Sequence, residues 1–399
     1  MEEAMELSRR VKRMSPSPTM AITSKAKELK AKGIDVIGFG AGEPDFDTPY
    51  HIKEAAKKAI DMGFTKYTPP AGIPELRRAV ADKLKSENGI DCGPEQVVIT
   101  DGAKQALFNL MLSVIDEGDE VIIPSPYWVT YPEQVKFAGG TPVFVETKEV
   151  KGFALTLEEL KPAVTSRTKM IILCTPHNPT GSVIPKEELQ RIGEFCAERG
   201  ILIASDECYE YLTYDGFKHT SIASLSPEVK QVTITINALS KAFSMTGWRV
   251  GYAAGPKEII DAMIKINSQS ISNVNSIAQK AAVAALTKPK DFLNEWLEAF
   301  DQRRRYMVEK LNEIPGISCL MPKGAFYAFP NVKELLKLGG FKDDWELADY
   351  LLERAKIAVV PGSAFGYPGY LRLSYATSME NIEEGLKRFK GAVEERLNG

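Results

Sequence analysis

Short runs of β-branched and other apolar residues recur along the first part of the chain, each set between longer stretches with helical periodicity. The runs are Val97–Ile99, Val121–Ile123, Met170–Cys174, Ile201–Ala204 and Val232–Ile236. Between them, apolar positions spaced three and four apart predict helices over 51–62, 74–88, 103–115, 186–199 and 256–265. Strands that alternate with helices imply an α/β fold with a mainly parallel sheet covered by helices. After about residue 290 the pattern changes to charged helices over 291–313, 344–354 and 379–397, around strand candidates at 325–329 and 357–360. This reads as a smaller α/β domain. The opening 45 residues also lack the strand–helix rhythm and are expected to lie as an arm against that C-terminal part. The expected division is a large domain over 48–290, with residues 1–47 and 291–399 forming the arm and the small domain.

Composition narrows the partners more than the fold. A chain of 399 residues exceeds the size at which one core grows efficiently, which fits two unequal domains. Apolar residues at 44% and charged residues at 26% exclude a disordered or fibrous chain. A net charge of -3, with basic residues spread along the chain, gives no footprint for nucleic acid or an anionic membrane. The 5 cysteines contain no C-x-x-C pair, which argues against a disulfide framework and a zinc knuckle. None of the 3 histidines has the spacing of a helical zinc site, so no metal is expected. No apolar leader or membrane-length run is present, and the default expectation is a cytoplasmic protein acting on small molecules.

Open α/β sheets bind ligands beyond the carboxyl ends of their strands, so the residues after each apolar run carry the information. They read Thr100-Asp101-Gly102-Ala103-Lys104, Thr175 to Gly181, Ser205-Asp206-Glu207-Cys208-Tyr209 and Asn237-Ala238-Leu239-Ser240-Lys241. A small-residue turn that opens a helix leaves free N–H groups at the positive end of the dipole, as a phosphate site requires. Gly102 and Ala103 fit that role, and equally fit an ordinary strand–helix turn. Asp206 alone is as good a helix N-cap as a ligand.

The segment Ser240-Lys241-Ala242-Phe243-Ser244-Met245-Thr246-Gly247-Trp248-Arg249-Val250-Gly251, taken with these turns, resembles the class I aminotransferases of the fold-type I pyridoxal-phosphate enzymes. The resemblance runs from Gly40-Ala41-Gly42-Glu43-Pro44-Asp45-Phe46 to Arg372-Leu373-Ser374-Tyr375-Ala376. It is strongest to the bacterial aspartate aminotransferase branch that also includes prephenate aminotransferases.

The resemblance implies pyridoxal 5′-phosphate as cofactor and Lys241 as its Schiff-base lysine, acting also as acid–base catalyst. It puts Asp206 under the pyridine nitrogen, where a negative charge keeps that nitrogen protonated. Tyr209 and Asn178 match the partners of the ring's phenolic oxygen. Gly102, Ala103, Lys104, Ser240 and Arg249 match the phosphate ligands, joined by Tyr67 from a neighbouring subunit, which implies a homodimer with shared sites. Trp128 would stack on the ring, and Arg372 would grip the substrate carboxylate with help from Gly40 and Asn178. The same resemblance implies a cis peptide at Asn178-Pro179.

Two positions depart from the family pattern. His177 replaces a common Asn and brings a titratable group near the cofactor, and Cys208 replaces an aliphatic residue as packing. Some aspartate aminotransferases clamp the distal carboxylate with an Arg in the region matching 267–279, which here holds no Arg or Lys. The resemblance assigns that task to Lys104, with Ser17 and Thr19 of the arm as hydroxyl partners. Three other readings compete. A dinucleotide fold at Gly38–Gly42 fails because the pattern is not G-x-G-x-x-G and Glu43-Pro44 follows where a helix must open. A cofactor-binding transcription regulator lacks the chain length before the α/β region for a DNA-binding domain. A β-lyase or cyclase would keep the cofactor and change the reaction.

Overall fold

The computed structural model describes residues 6–16 and 18–398. In chain order the strands are β1 (Ile37–Gly38), β2 (Val97–Thr100), β3 (Glu120–Ser125), β4 (Thr141–Glu146), β5 (Thr168–Cys174) and β6 (Leu202–Asp206). They continue as β7 (Thr233–Ala238), β8 (Gly251–Ala254), β9 (Tyr327–Ala328), β10 (Ile357–Ala358), β11 (Val360–Pro361) and β12 (Leu371–Ser374). Among the described residues they form a 7-stranded sheet in the order β2-β8-β7-β6-β5-β3-β4, a 3-stranded sheet β11-β12-β9 and the pair β1-β10.

The large sheet is parallel from β4 through β7, as the alternation of strands and helices predicts. Its central strands are apolar throughout because both faces are covered. Met170 and Ile172 pack with Leu107 and Leu110 of the helix Ala103–Val114, whereas Ile171 and Leu173 pack with Leu189 and Ile192 of the helix Lys186–Arg199. Each such side chain contributes roughly 1.5–3 kcal/mol by leaving water. The one reversal is β8, which pairs antiparallel with both β2 and β7. Two antiparallel pairings in succession leave β2 running in the same direction as β7. The carboxyl ends of β2, β3, β5, β6 and β7 therefore share one edge of the sheet, and the amino end of β8 meets them there.

The predicted helices appear at Tyr50–Asp61, Pro74–Asn88, Ala103–Val114, Lys186–Arg199 and Lys257–Ser270, the last running further than its periodicity suggested. The helices Thr130–Ala138 and Ser276–Thr287 were not expected. Beyond residue 290, long helices span Phe292–Asn312 and Met379–Asn398. The stretch expected as one helix over 344–354 is α-helical only over Asp344–Tyr350 and widens to a π-turn at Leu351–Ala355. Near the start of the chain, β1 pairs with β10, and Ala26 and Val36 bury against Leu352 and Ala358. No helix among the described residues is long and apolar enough to cross a membrane.

Candidate active site

At the shared edge, the strand ends bring together residues of the predicted set. The turn after β2 places Gly102 at φ 81 as N-cap of the helix Ala103–Val114, with no side chain capping its first turn. The amides of Ala103 and Lys104, at the start of that helix, thus have no intrahelical acceptor. A Cβ on Gly102 would lie 2.6 Å from Nη2 of Arg249, so only glycine lets the guanidinium lie over the turn. Arg249 arrives just before β8, in a left-handed conformation at φ 55, and donates to the carbonyls of Thr246 at 2.8 Å and Asp101 at 3.0 Å. Gly251 closes the arrangement from below, because a Cβ there would sit 2.7 Å from the Ala103 nitrogen. Ser240 is buried after β7. The cradle of backbone amides and one guanidinium has the donor chemistry of a phosphate dianion site.

Lys241, one residue on, is walled in by Tyr209 and Phe326, each ring centroid 5.8 Å from its Nζ, and donates to the carbonyl of Gly42. Burial pushes its ammonium down to about 8, with the positive charge of Arg372 adding to the effect. Asp206 ends β6 fully inside the protein. Its carboxylate accepts from the Tyr131 hydroxyl at 2.7 Å and from the Cys208 amide at 3.2 Å. Burial raises its pKa against these two hydrogen bonds and the nearby charge of Lys241. No helix follows, so Asp206 is not an N-cap, and Tyr209 lies in a turn. The Tyr209 hydroxyl meets Asn178 Nδ2 at 3.4 Å and the Tyr327 hydroxyl at 2.9 Å. The Asn178-Pro179 bond is cis, as expected, and so are Ser125-Pro126 and Thr175-Pro176.

Arg372 lies on β12, the middle strand of its sheet, and is only 3% exposed. Its Nη1 donates to Asn178 Oδ1 at 3.0 Å and its Nη2 to the Gly40 carbonyl at 2.7 Å. Its Nε is buried without any acceptor. An orphaned charged donor at the centre of a fold is costly, and a carboxylate is the group that would satisfy it.

Lys104 projects from the first helical turn, with Nζ 5.0 Å above the Trp128 ring. It forms no ion pair among the described residues, although burial and the charge of Arg249 both lower its pKa. It lines a cavity of about 700 Å³ together with Phe108, Tyr127, Trp345 and the arm residues Met14 to Pro16. Thr19 is half-buried in the arm helix, and Ser17 lies outside the described residues. Tyr67 stands 90% exposed.

The family model "Aminotransferase class I and II" matches residues 34–389. The chain belongs to this aminotransferase family. It is 57% identical over 98% of its length to a protein of Aquifex aeolicus named "Probable aspartate/prephenate aminotransferase", covering 99% of that protein. It is 53% identical to the aspartate aminotransferase of Geobacillus stearothermophilus, over 98% of this chain and 100% of that one. Among solved structures, the aspartate aminotransferase of Thermus thermophilus with maleate superposes with a TM-score of 0.93 at 46% identity, covering 98% of this chain and 100% of the other.

Within this aminotransferase fold, sequence reasoning missed Tyr131, Tyr327 and Gly251. Tyr131 stands three residues after Trp128 and packs edge-on against it at 5.4 Å, yet nothing in Thr130-Tyr131-Pro132 signals contact with Asp206. His177, the titratable group that stands where an Asn is common, is buried; burial pushes its pKa down to about 4, and its Nδ1 is 2.7 Å from Thr180 Oγ1. Cys208 is buried, consistent with packing. Glu207, Glu210 and His219 bring their ligand atoms within 4.8 Å of one another. Every carboxylate oxygen in that group already accepts a hydrogen bond, so the trio makes no case for a metal.

Proposed function

We propose that this aminotransferase uses pyridoxal 5′-phosphate to move the amino group of aspartate to 2-oxoglutarate, as a cytoplasmic homodimer. The orphaned Nε of Arg372 carries the reading, because it lies in the same buried cluster as Lys241 and calls for a carboxylate. The residues present fit the cofactor. The Gly102–Lys104 turn, Ser240 and Arg249 would hold its phosphate, Asp206 its ring nitrogen, Tyr209 and Asn178 its phenolic oxygen, Trp128 its ring face and Lys241 Nζ its aldehyde carbon. When bound, the cofactor supplies a ring that accepts electrons from the substrate α-carbon.

The chain's own groups do the rest. Arg372, braced by Asn178 and Gly40, orients the α-carboxylate. Lys241 has a pKa near 8, so its Nζ takes and returns a proton close to neutral pH without a large energetic penalty. The buried carboxylate of Asp206 lacks a full counter-charge, and a protonated ring nitrogen would supply one. The positive end of the helix Ala103–Val114 and Arg249 both disfavour a bare cation at Lys104, which supports its pairing with the substrate's distal carboxylate, assisted by Thr19 and Ser17. Tyr67, exposed on one chain, would reach the phosphate of the partner's site. The division into a cofactor-binding unit over 48–290 and a unit of 1–47 with 291–399 accords with the separation of the sheets.

Purified protein given pyridoxal phosphate, aspartate and 2-oxoglutarate should form glutamate and oxaloacetate, and Lys241→Ala should abolish turnover. Absence of glutamate from the wild type would refute the reading. The cavity beside Lys104 favours one alternative, in which the same scaffold accepts prephenate or an aromatic 2-oxo acid. Its Phe108, Tyr127 and Trp345 walls suit a ring bearing a carboxylate.

A further inference from the structure

The segment Asp206-Glu207-Cys208-Tyr209-Glu210 faces two ways. Asp206 and Tyr209 turn toward the site, whereas Glu207 and Glu210 turn into the interior, at 0% and 9% exposure. Two adjacent buried carboxylates cost several kcal/mol each unless fully paired. Here each oxygen has a donor. Glu207 Oε1 accepts from Ser205 Oγ at 2.8 Å, and Oε2 from Ser221 Oγ and His219 Nε2. Glu210 Oε1 accepts from Lys83 and from Asn237 Nδ2 at 2.7 Å, and Oε2 from Asn88 Nδ2 at 2.7 Å.

Such a network gains little stability over an apolar core of the same shape, so its content is geometric. Asn237 is the informative partner. It lies on β7, four residues before Lys241, and its Oδ1 accepts from the Ala238 amide at 2.7 Å. Glu210 therefore ties the segment that carries Asp206 and Tyr209 to the strand end that carries Ser240 and Lys241. Lys83 and Asn88, both on the helix Pro74–Asn88, hold the tie from behind.

We propose that Glu210 is a positioning residue, which sets the spacing between Lys241 and the Asp206–Tyr209 pair through Asn237, with Lys83 as its counter-charge and Glu207 as a second anchor. This rests on the functional reading given above. Misplacement of reacting groups by about 1 Å costs on the order of 100-fold in rate, which bounds the effect.

The test compares Glu210→Gln, Lys83→Met and the double variant, each reconstituted with pyridoxal phosphate. Thermal stability, kcat and KM for aspartate, and the pH titration of the cofactor's absorbance are read for each. Glu210→Gln should lower kcat by roughly 10- to 100-fold with little change in KM, and should shift the titration. The double variant, which buries no unpaired charge, should regain thermal stability while kcat and the titration stay altered. If kcat and the titration instead recover together with stability, or never change, the positioning role is overturned. Should Glu210→Gln not fold, Asn237→Ser removes the amide that bonds Glu210 and the oxygen that accepts from Ala238, without orphaning a charge. It should move kcat and the titration the same way by roughly 3- to 10-fold, and wild-type values would overturn the proposal. A wild type that cannot transaminate aspartate refutes the functional reading and the positioning role with it; an active wild type with unaltered variants refutes the positioning role alone.

Discussion

Tyr131→Phe offers the sharpest probe of how the site holds its buried charge. The change removes one oxygen and leaves the ring, which packs edge-on against Trp128, in place. What is lost is a 2.7 Å hydrogen bond to Asp206 Oδ2, after which the carboxylate keeps the amide and the thiol of Cys208. A hydrogen bond to a charged group contributes roughly 1.5–3 kcal/mol. Its loss should raise the Asp206 pKa further. In its proposed role, an Asp206 that ionises less readily would support a protonated ring nitrogen less well. Full transmission of the loss to the barrier corresponds to a roughly 10- to 150-fold fall in rate. Stopped-flow measurement of the aspartate half-reaction, alongside pH titration of the cofactor's absorbance, reads both effects. Wild-type values in both, in a variant shown to bind cofactor, would refute the argument that Tyr131 sets the charge on Asp206.

Three further outcomes follow from the geometry. Lys104→Leu should reduce kcat/KM for aspartate by roughly 30-fold to several thousand-fold, the range for removing one partner of a desolvated pair. Phenylalanine should be far less affected, and an equal loss on both donors would assign Lys104 to the cofactor or the fold. In mixed dimers of wild type with a Tyr67→Phe, Lys241→Ala double variant, the single site that retains Lys241 should bind cofactor roughly 2- to 12-fold more weakly; unchanged affinity there would exclude a cross-subunit role for Tyr67. His219 gives a pH dependence of stability. Burial lowers its pKa, but the charge and hydrogen bond of Glu207, with Glu210 helping and Lys83 opposing, raise it above the ordinary 6.5. A raised folded value stabilises fully below about pH 6.5 and loses that contribution as pH rises through it. Thermal melts of the wild type should fall over that window relative to His219→Gln, and parallel curves would show that the pair contributes nothing.

The strands with β-branched interiors were legible because both of their faces are covered, so nothing polar interrupts the runs. β8 was not, since Gly251-Tyr252-Ala253-Ala254 has neither β-branching nor alternation, and its small residues reflect close approach of the Gly102 backbone. β4 is an edge strand whose Thr141, Phe144 and Glu146 are exposed, which erases the buried-strand signature. Arg372 in β12 was singled out by the family motif and not by periodicity, which places a strand residue on a face and cannot say that the face is a ligand site. The residues of the candidate site came from linear motifs, which record what contacts a ligand. Tyr131 and the Glu210 network support those residues from other elements, and their pairing exists only once the sheet has assembled.

The proposed grip on the substrate carboxylate joins Gly40 to Arg372, which are 332 residues apart in the chain. At about 5–20 residues per second, the ribosome takes roughly 15–70 seconds to supply the second half of that contact after the first has emerged. Throughout that interval the arm strand Ile37–Gly38 has no β10 to pair with, and Phe39, later fully buried, has no core to enter. A nascent or prematurely terminated chain thus presents an apolar, unpaired strand edge near its start. The pairing of β1 with β10, two residues before the contact of Gly40 with Arg372, hides that edge, so damage near the C-terminus should appear first as insolubility and only then as lost activity.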